Sequence, residues 1–200
     1  MNATPTGLPG VILIEPRTFH DERGFFLETW NQSRYQDLGL PATMVQDNLS
    51  WSRRGVLRGM HFQHPAGQGK LVYALAGQIF DVVADMRVGS PAFGRWESFD
   101  LSLENGRQLY VPDGFAHGFC VLSATALVAY KCTELYRPEC EVGVIWNDPK
   151  LGIRWPLASP IVSGKDAALA RLDDLGADDL PTYVEPADRG RLAVKCAHAA

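Results

Sequence analysis

A chain of 200 residues, 46% hydrophobic and 10% aromatic, carries enough apolar surface for one substantial core, and its length favours a single domain. The formal net charge of −4, with both signs interspersed, offers no basic face for duplex phosphates, so a nucleic-acid partner is not expected. No stretch approaches the roughly 20 apolar residues of a membrane span, and Met1 to Gly10 lacks the basic-then-apolar pattern of a secretion signal, so no membrane partner is expected and the expected compartment is the cytoplasm. In that reducing setting Cys120, Cys132, Cys140 and Cys196, which form no C-x-x-C pair, read as free thiols.

Short β-type runs begin with Val11 to Glu15 and Phe25 to Trp30. A helical stretch, Ser33 to Leu38, follows and stops at Gly39. The β rhythm resumes at Val56 to Gln63, Lys70 to Ala76, Gln78 to Met86, Trp96 to Leu101, Gln108 to Pro112, Gly118 to Leu122, Leu127 to Cys132 and Val142 to Trp146. Turn residues such as Gly67-Gln68-Gly69, Gly89-Ser90-Pro91 and Pro112-Asp113-Gly114 punctuate it. Within Gln78 to Met86, Phe80, Val82, Ala84 and Met86 share one face while Asp81 and Asp85 share the other, which predicts one core face and one wet face. A second helix is predicted over Asp166 to Leu175, ending at Gly176. This count and spacing predict a mainly β fold, a sandwich, jelly roll or barrel with short peripheral helices. One domain is expected over residues 1–180, and an appendage, a candidate for disorder, over 181–200, where the strand rhythm is lost.

Reactive side chains are densest in Arg58-Gly59-Met60-His61-Phe62-Gln63-His64, then in Gln68-Gly69-Lys70, and again in Pro112-Asp113-Gly114-Phe115-Ala116-His117. Gly55 and His61, with five residues between them, resemble the first cupin signature; Gly106, Pro112, Gly114 and His117 resemble the second at every spacing. The resemblance implies a double-stranded β-helix, a small jelly roll with its site in the barrel mouth. A metal-binding cupin carries a second histidine two residues after the first, where this chain has Gln63, and its carboxylate ligand would fall in the stretch that reads Gln68-Gly69-Lys70. His61 and His117 alone supply too few ligands, and the Lys70 ammonium repels a cation, so neither a metal nor another cofactor is expected.

An imidazole and an ammonium in a wet β-mouth suit removal of a proton beside a carbonyl. Neutral histidine accepts the proton while a fixed cation stabilises the enolate oxygen. His61 is the candidate base and Lys70 the candidate oxyanion stabiliser. Inversion also needs a proton returned to the opposite face; a phenol suits, and Tyr130 and Tyr136 are both candidates.

Eight segments then resemble, in order from about Gly10 to Leu175, the dTDP-4-dehydrorhamnose 3,5-epimerase family. They are Phe19 to Glu28, Val45 to Ser50, Leu57 to Gln63, Gln68 to Val72, Gly114 to Phe119, Ala129 to Lys131, Trp146 to Pro149 and Ser163 to Asp166. The resemblance implies His61 as proton acceptor paired with Asp166, Tyr130 as donor, and Lys70 beside the sugar carbonyl. It implies that Arg23, Glu28, Gln46, Asn48, Arg58, His117, Glu141 and Lys165 bind the dTDP-sugar, and that Phe26 lies near the base. Tyr136 is left as a wall of the sugar pocket. A homodimer, with the N-terminal segment crossing between subunits, is likewise implied.

The implied substrate is a dTDP-4-keto-6-deoxyhexose, inverted at C3 and C5. Mono-epimerases of C3 or C5 share the motifs and remain the alternative; a metal-dependent cupin and a sugar-binding cupin without chemistry are the rivals from other classes. One geometric conflict stands. Strict alternation puts His61 and Arg58 on opposite faces of their strand, so both reach one substrate only if the strand bulges, with Gly59 the natural place, or Arg58 serves a neighbouring site.

Overall fold

The computed structural model describes residues 1–185. The chain enters through β1 (Asn2–Pro5), β2 (Ile12–Glu15), β3 (Thr18–Asp21) and β4 (Gly24–Leu27), then turns through the helix α1 (Gln32–Asp37). Asn31 caps α1 by accepting from the Arg34 amide, and the chain leaves it at Gly39, where the sequence places the stop. The barrel strands follow: β5 (Gln46–Arg53), β6 (Leu57–Gln63), β7 (Lys70–Ala76), β8 (Gln78–Asp85), β9 (Trp96–Ser102), β10 (Gln108–Val111), β11 (Phe115–Val121) and β12 (Thr125–Cys132). The short β13 (Glu141–Gly143) and a single α-helical turn, α2 (Gly164–Ala167), follow, with 3-10 turns at Pro138–Cys140, Leu172–Asp174 and Ala177–Asp179.

Two antiparallel sheets face each other, ordered β1-β2-β10-β7-β12-β5 and β13-β6-β11-β8-β9, while β3 and β4 pair only with each other. Sheet neighbours distant in sequence make this the expected jelly roll. Val72, Leu109, Val111 and Val128 of the first sheet pack against Ile79, Val83, Leu101, Phe115 and Phe119 of the second. Burial of these side chains from both sheets is the main force closing the sandwich. The outer face of the second sheet is covered in turn: Met60, Phe62, Val82, Ala84 and Met86 pack on Val144, Leu151 and Leu172 of the C-terminal strap.

That cover corrects the reading of β8. Both of its faces are dry: Phe80, Val82, Ala84 and Met86 pack toward the strap, and Asp81 and Asp85, each 0% exposed, lie on the other face with the inter-sheet residues Ile79 and Val83. Alternation separates two faces but does not say which one meets water. The long second helix is also corrected. Only α2 and a separate 3-10 turn, Leu172–Asp174, form, because backbone groups that a continuous helix would need are taken elsewhere: Leu172 N donates to Asp148 Oδ2 (2.9 Å) and Ala170 O accepts from Ile145 N (2.8 Å).

Strand β5 has no counterpart in the sequence reading, since its alternation is inverted. Leu49 and Trp51 point outward, 61% and 62% exposed, while Asn48, Ser50 and Ser52 turn to the less exposed side. Residues 181–185 run beside the β8–β9 connection, with Val88 N donating to Pro181 O (2.8 Å) and Tyr183 N to Val88 O (2.9 Å); the rest of the 181–200 segment lies outside the described residues. Cys120, Cys132 and Cys140 are free and buried, and Cys196 is outside the described residues.

Candidate active site

The conflict between Arg58 and His61 is resolved within β6. His117 on β11 pairs with His61 and Phe119 pairs with Arg58, so β6 holds one more residue than its partner between the two registers. This bulge lies at Gly59-Met60 and puts Arg58 and His61 on the wall of one cleft while Met60 turns to the outer cover. Gly59 has φ +119°, and a Cβ there would sit 2.5 Å from Gly118 Cα, so the site requires glycine.

The cleft opens between the sheets as two lobes of about 300 and 550 Å3 that share His61, Lys70, Tyr130 and Lys165 as walls. His61 Nε2 lies 2.9 Å from Asp166 Oδ1, with side chains 29% and 7% exposed. Asp166 is delivered by α2, whose first turn is capped by Ser163, and its second oxygen accepts from Gly59 N at 3.1 Å. Burial alone would raise the Asp166 carboxyl, but the bonds from His61, Gly59 and Ser163 outweigh it and hold it below the usual carboxylate range. An ionised Asp166 favours the tautomer with the proton on Nε2, leaving Nδ1 of His61 as the acceptor.

The facing sheet supplies Lys70 on β7 and Tyr130 on β12, with Asn48 of β5 in register with Tyr130. Burial pulls Lys70 below the ordinary lysine range, opposed by Cys132, Glu141 and Asp81. Burial raises the Tyr130 phenol, with Cys132 adding to the effect, so its proton is held firmly at neutral pH. Gln46 Nε2 donates to Asn48 Oδ1 (3.0 Å), and Gln46 Oε1 accepts from Tyr136 N (2.8 Å).

Over the mouth, Glu141 Oε2 accepts from Lys165 Nζ (2.7 Å) and from the Tyr136 hydroxyl, while its Oε1 lies 4.0 Å from His61 Nε2. Burial would raise Glu141, but Lys165, Tyr136 and His61 hold it low. The Glu141 bond raises both Tyr136 and Lys165. His117, on β11, also lines the cleft, and its Nε2 lies 2.8 Å from Asp81 Oδ2. The Nε2 atoms of both histidines are thus engaged by carboxylates, and no group of three His, Cys, Asp or Glu side chains among the described residues is arranged to hold a metal.

Arg58, whose Nε donates to Ser52 Oγ (3.0 Å), completes the set that the fold brings together. Arg23, Phe26 and Glu28 line neither lobe. Arg23 pairs with Asp21 at the tip of the β3–β4 ribbon with its side chain 84% exposed, Phe26 is 68% exposed, and Glu28 binds Arg34. Sequence reasoning passed over Gln68 and Asp81, and took Gln63 only as a missing ligand. The Gln63 amide donates to Ala66 O and Leu135 O and accepts from Arg137 N, while Gln68 Nε2 donates to Glu134 O (2.7 Å). Together they pin the loop that carries Tyr136, through partners too far away in sequence to leave a local signal.

The profile of the dTDP-4-dehydrorhamnose 3,5-epimerase family matches residues 5–174. This chain belongs to that family. A family member from Pseudomonas aeruginosa is 53% identical over 168 residues, which are 83% of this chain and 93% of the relative. One from Neisseria gonorrhoeae is 51% identical over 169 residues, 84% of this chain but only 52% of that longer protein. The crystal structure of a dTDP-6-deoxy-D-glucose-3,5-epimerase from Legionella pneumophila Philadelphia 1, in complex with dTDP-4-keto-L-rhamnose, superposes with a TM-score of 0.89 at 50% identity. It covers 92% of this chain and 98% of its own. The epimerase fold of this chain is accordingly the cupin-like jelly roll of its relatives. No helix among its described residues is long and apolar enough to cross a membrane.

Proposed function

We propose that the chain inverts C3 and C5 of dTDP-4-dehydro-6-deoxy-D-glucose, giving dTDP-4-dehydro-L-rhamnose. The observation that carries this reading is the convergence of His61–Asp166, Lys70 and Tyr130 on one cleft in a member of this family. C3 and C5 both flank the C4 carbonyl, so loss of either proton places negative charge on the same oxygen. One base and one cation can therefore serve both carbons. His61 takes the proton through Nδ1, Asp166 stabilises the imidazolium that forms, and the Lys70 ammonium stabilises the enolate oxygen. Tyr130, on the opposite sheet from His61, returns a proton to the other face of the carbon. Arg58 and Lys165 suit the diphosphate, Arg58 through a planar fork and Lys165 as a point charge.

A homodimer accounts for Arg23 and Phe26: the β3–β4 ribbon, exposed on its own subunit, would reach the partner's cleft. Mixing His61→Ala and Arg23→Ala chains then restores activity, since one of the hybrid's two sites is intact; no restoration refutes the crossing. The reaction itself is tested with a dTDP-4-keto-6-deoxyglucose substrate in D2O. Deuterium entering at both C3 and C5 supports the double epimerase, entry at one carbon makes the chain a mono-epimerase, and no entry removes the reading.

A further inference from the structure

Two histidine–carboxylate pairs stand in this barrel, and the mechanism above uses one. The second, His117 with Asp81, is 10% and 0% exposed at its side chains. It is set inside the core: Ile79 and Val83 flank Asp81 on β8, and Phe115 and Phe119 flank His117 on β11. Ionisable groups in such apolar surroundings are unfavourable unless something compensates them. The compensation is incomplete, since Asp81 Oδ1 is buried without a hydrogen-bond partner. Packing alone does not explain a carboxylate here.

Lys70 does. His117 and Lys70 wall the same lobe as His61. Around Lys70 stand Asp81 on β8, His117 on β11, His61 on β6, Tyr130 and Cys132 on β12, and Glu141 on β13. Of the two carboxylates among them, Glu141 is committed to Lys165 and Tyr136. Asp81 keeps one oxygen unclaimed. We propose that Asp81 is a positioning residue for the epimerisation: from inside the barrel it fixes the His117 ring and supplies the negative charge against which the Lys70 ammonium is held at the cleft. Burial works against both charges, pushing Asp81 up and pulling Lys70 down; His117 and Lys70 oppose it at Asp81, and Cys132, Glu141 and Asp81 oppose it at Lys70, so each of the pair favours the charged form of the other.

The proposal rests on the epimerase reading, so solvent exchange at C3 and C5 by the unaltered enzyme is measured first; its absence refutes that reading and leaves nothing for Asp81 to position. The variant is Asp81→Asn, equal in size and without charge. Turnover is expected to fall about 10- to 100-fold with KM changed less than about threefold, since the loss acts through Lys70 rather than by removing the donor itself. The alkaline limb of the turnover profile should move to lower pH by about one unit, because Lys70 surrenders its proton sooner without that neighbour. Reduced turnover with an unmoved limb means Asp81 is merely structural and overturns the proposal. Should Asp81→Asn not fold, 15N-histidine spectra of the unaltered enzyme decide. Nε2 of His117 protonated between about pH 6 and 9 supports an ionised Asp81; an unprotonated Nε2, accepting from a neutral Asp81, overturns it.

Discussion

His61–Asp166 and His117–Asp81 are the same two groups at nearly the same separation, 2.9 and 2.8 Å, on strands that pair with each other through those very histidines. Their carboxylates nevertheless titrate in opposite directions. Asp166 is held low by the donors gathered around it, whereas burial leaves Asp81 high. A histidine at the cleft with a well-satisfied carboxylate can gain and lose a proton in each cycle. One set at the back of the cleft, its carboxylate half-satisfied and fully buried, is suited to standing still. Surroundings, more than the pair itself, are what assign one to the proposed base and the other to the proposed support.

The sharpest way to break that contrast is His61→Ala, which should lower deuterium incorporation at both carbons by about 10³- to 10⁴-fold while binding of dTDP persists. Exchange at the unaltered rate would mean that another group, His117 foremost, is the base. Next comes Lys70→Met, expected to slow turnover by about 10²- to 10³-fold, as for removal of one oxyanion donor. Asp166→Asn should reduce turnover on the order of 10²-fold, and it carries a signature in acid. Because the Asp166 pKa is depressed in the folded protein, its ionised form stabilises the fold above the ordinary carboxylate range, and that contribution vanishes as pH falls through the depressed value. The difference in Tm between Asp166→Asn and the unaltered protein should therefore be full near neutrality and close in acid; a difference independent of pH counts against the ion pair. The smallest effect is expected from Gln63→Ala, which frees the Tyr136 loop and should raise KM about threefold to tenfold with little change in kcat. An equal fall in kcat would place Gln63 in the chemistry.

What the sequence discloses about these regions follows from distance along the chain. His61 and Lys70 sit within one short stretch, and their chemistry is visible without a fold. Asp166 lies 105 residues from His61, and in sequence it resembles any acidic residue in a first helical turn, so only the family likeness pairs them. Tyr130 has the same standing, a tyrosine in a strand until β7 brings Lys70 beside it. Asp81 reads as wet in the sequence because period-two patterning cannot know that the strap covers one face of β8 and the other sheet covers the second. Strand β5 leaves no strand signal for the converse reason: its cleft-facing residues are polar, so the strand that carries Gln46 and Asn48 looks like a loop. The bulge at Gly59 was legible as a contradiction, since Arg58 and His61 could not otherwise share a substrate.

The way Asp166 arrives has a further consequence for the newly made chain. Strands β1 to β12 are complete by Cys132, yet the partner of the proposed base is carried on a turn more than thirty residues later, on the strap that also covers the outer sheet. A protein cut short before Ser163 would still hold His61, Lys70 and Tyr130 in its sequence, but its imidazole would lack the carboxylate that sets its tautomer. On the proposed mechanism, full turnover therefore depends on a segment made after the strands that carry His61, Lys70 and Tyr130.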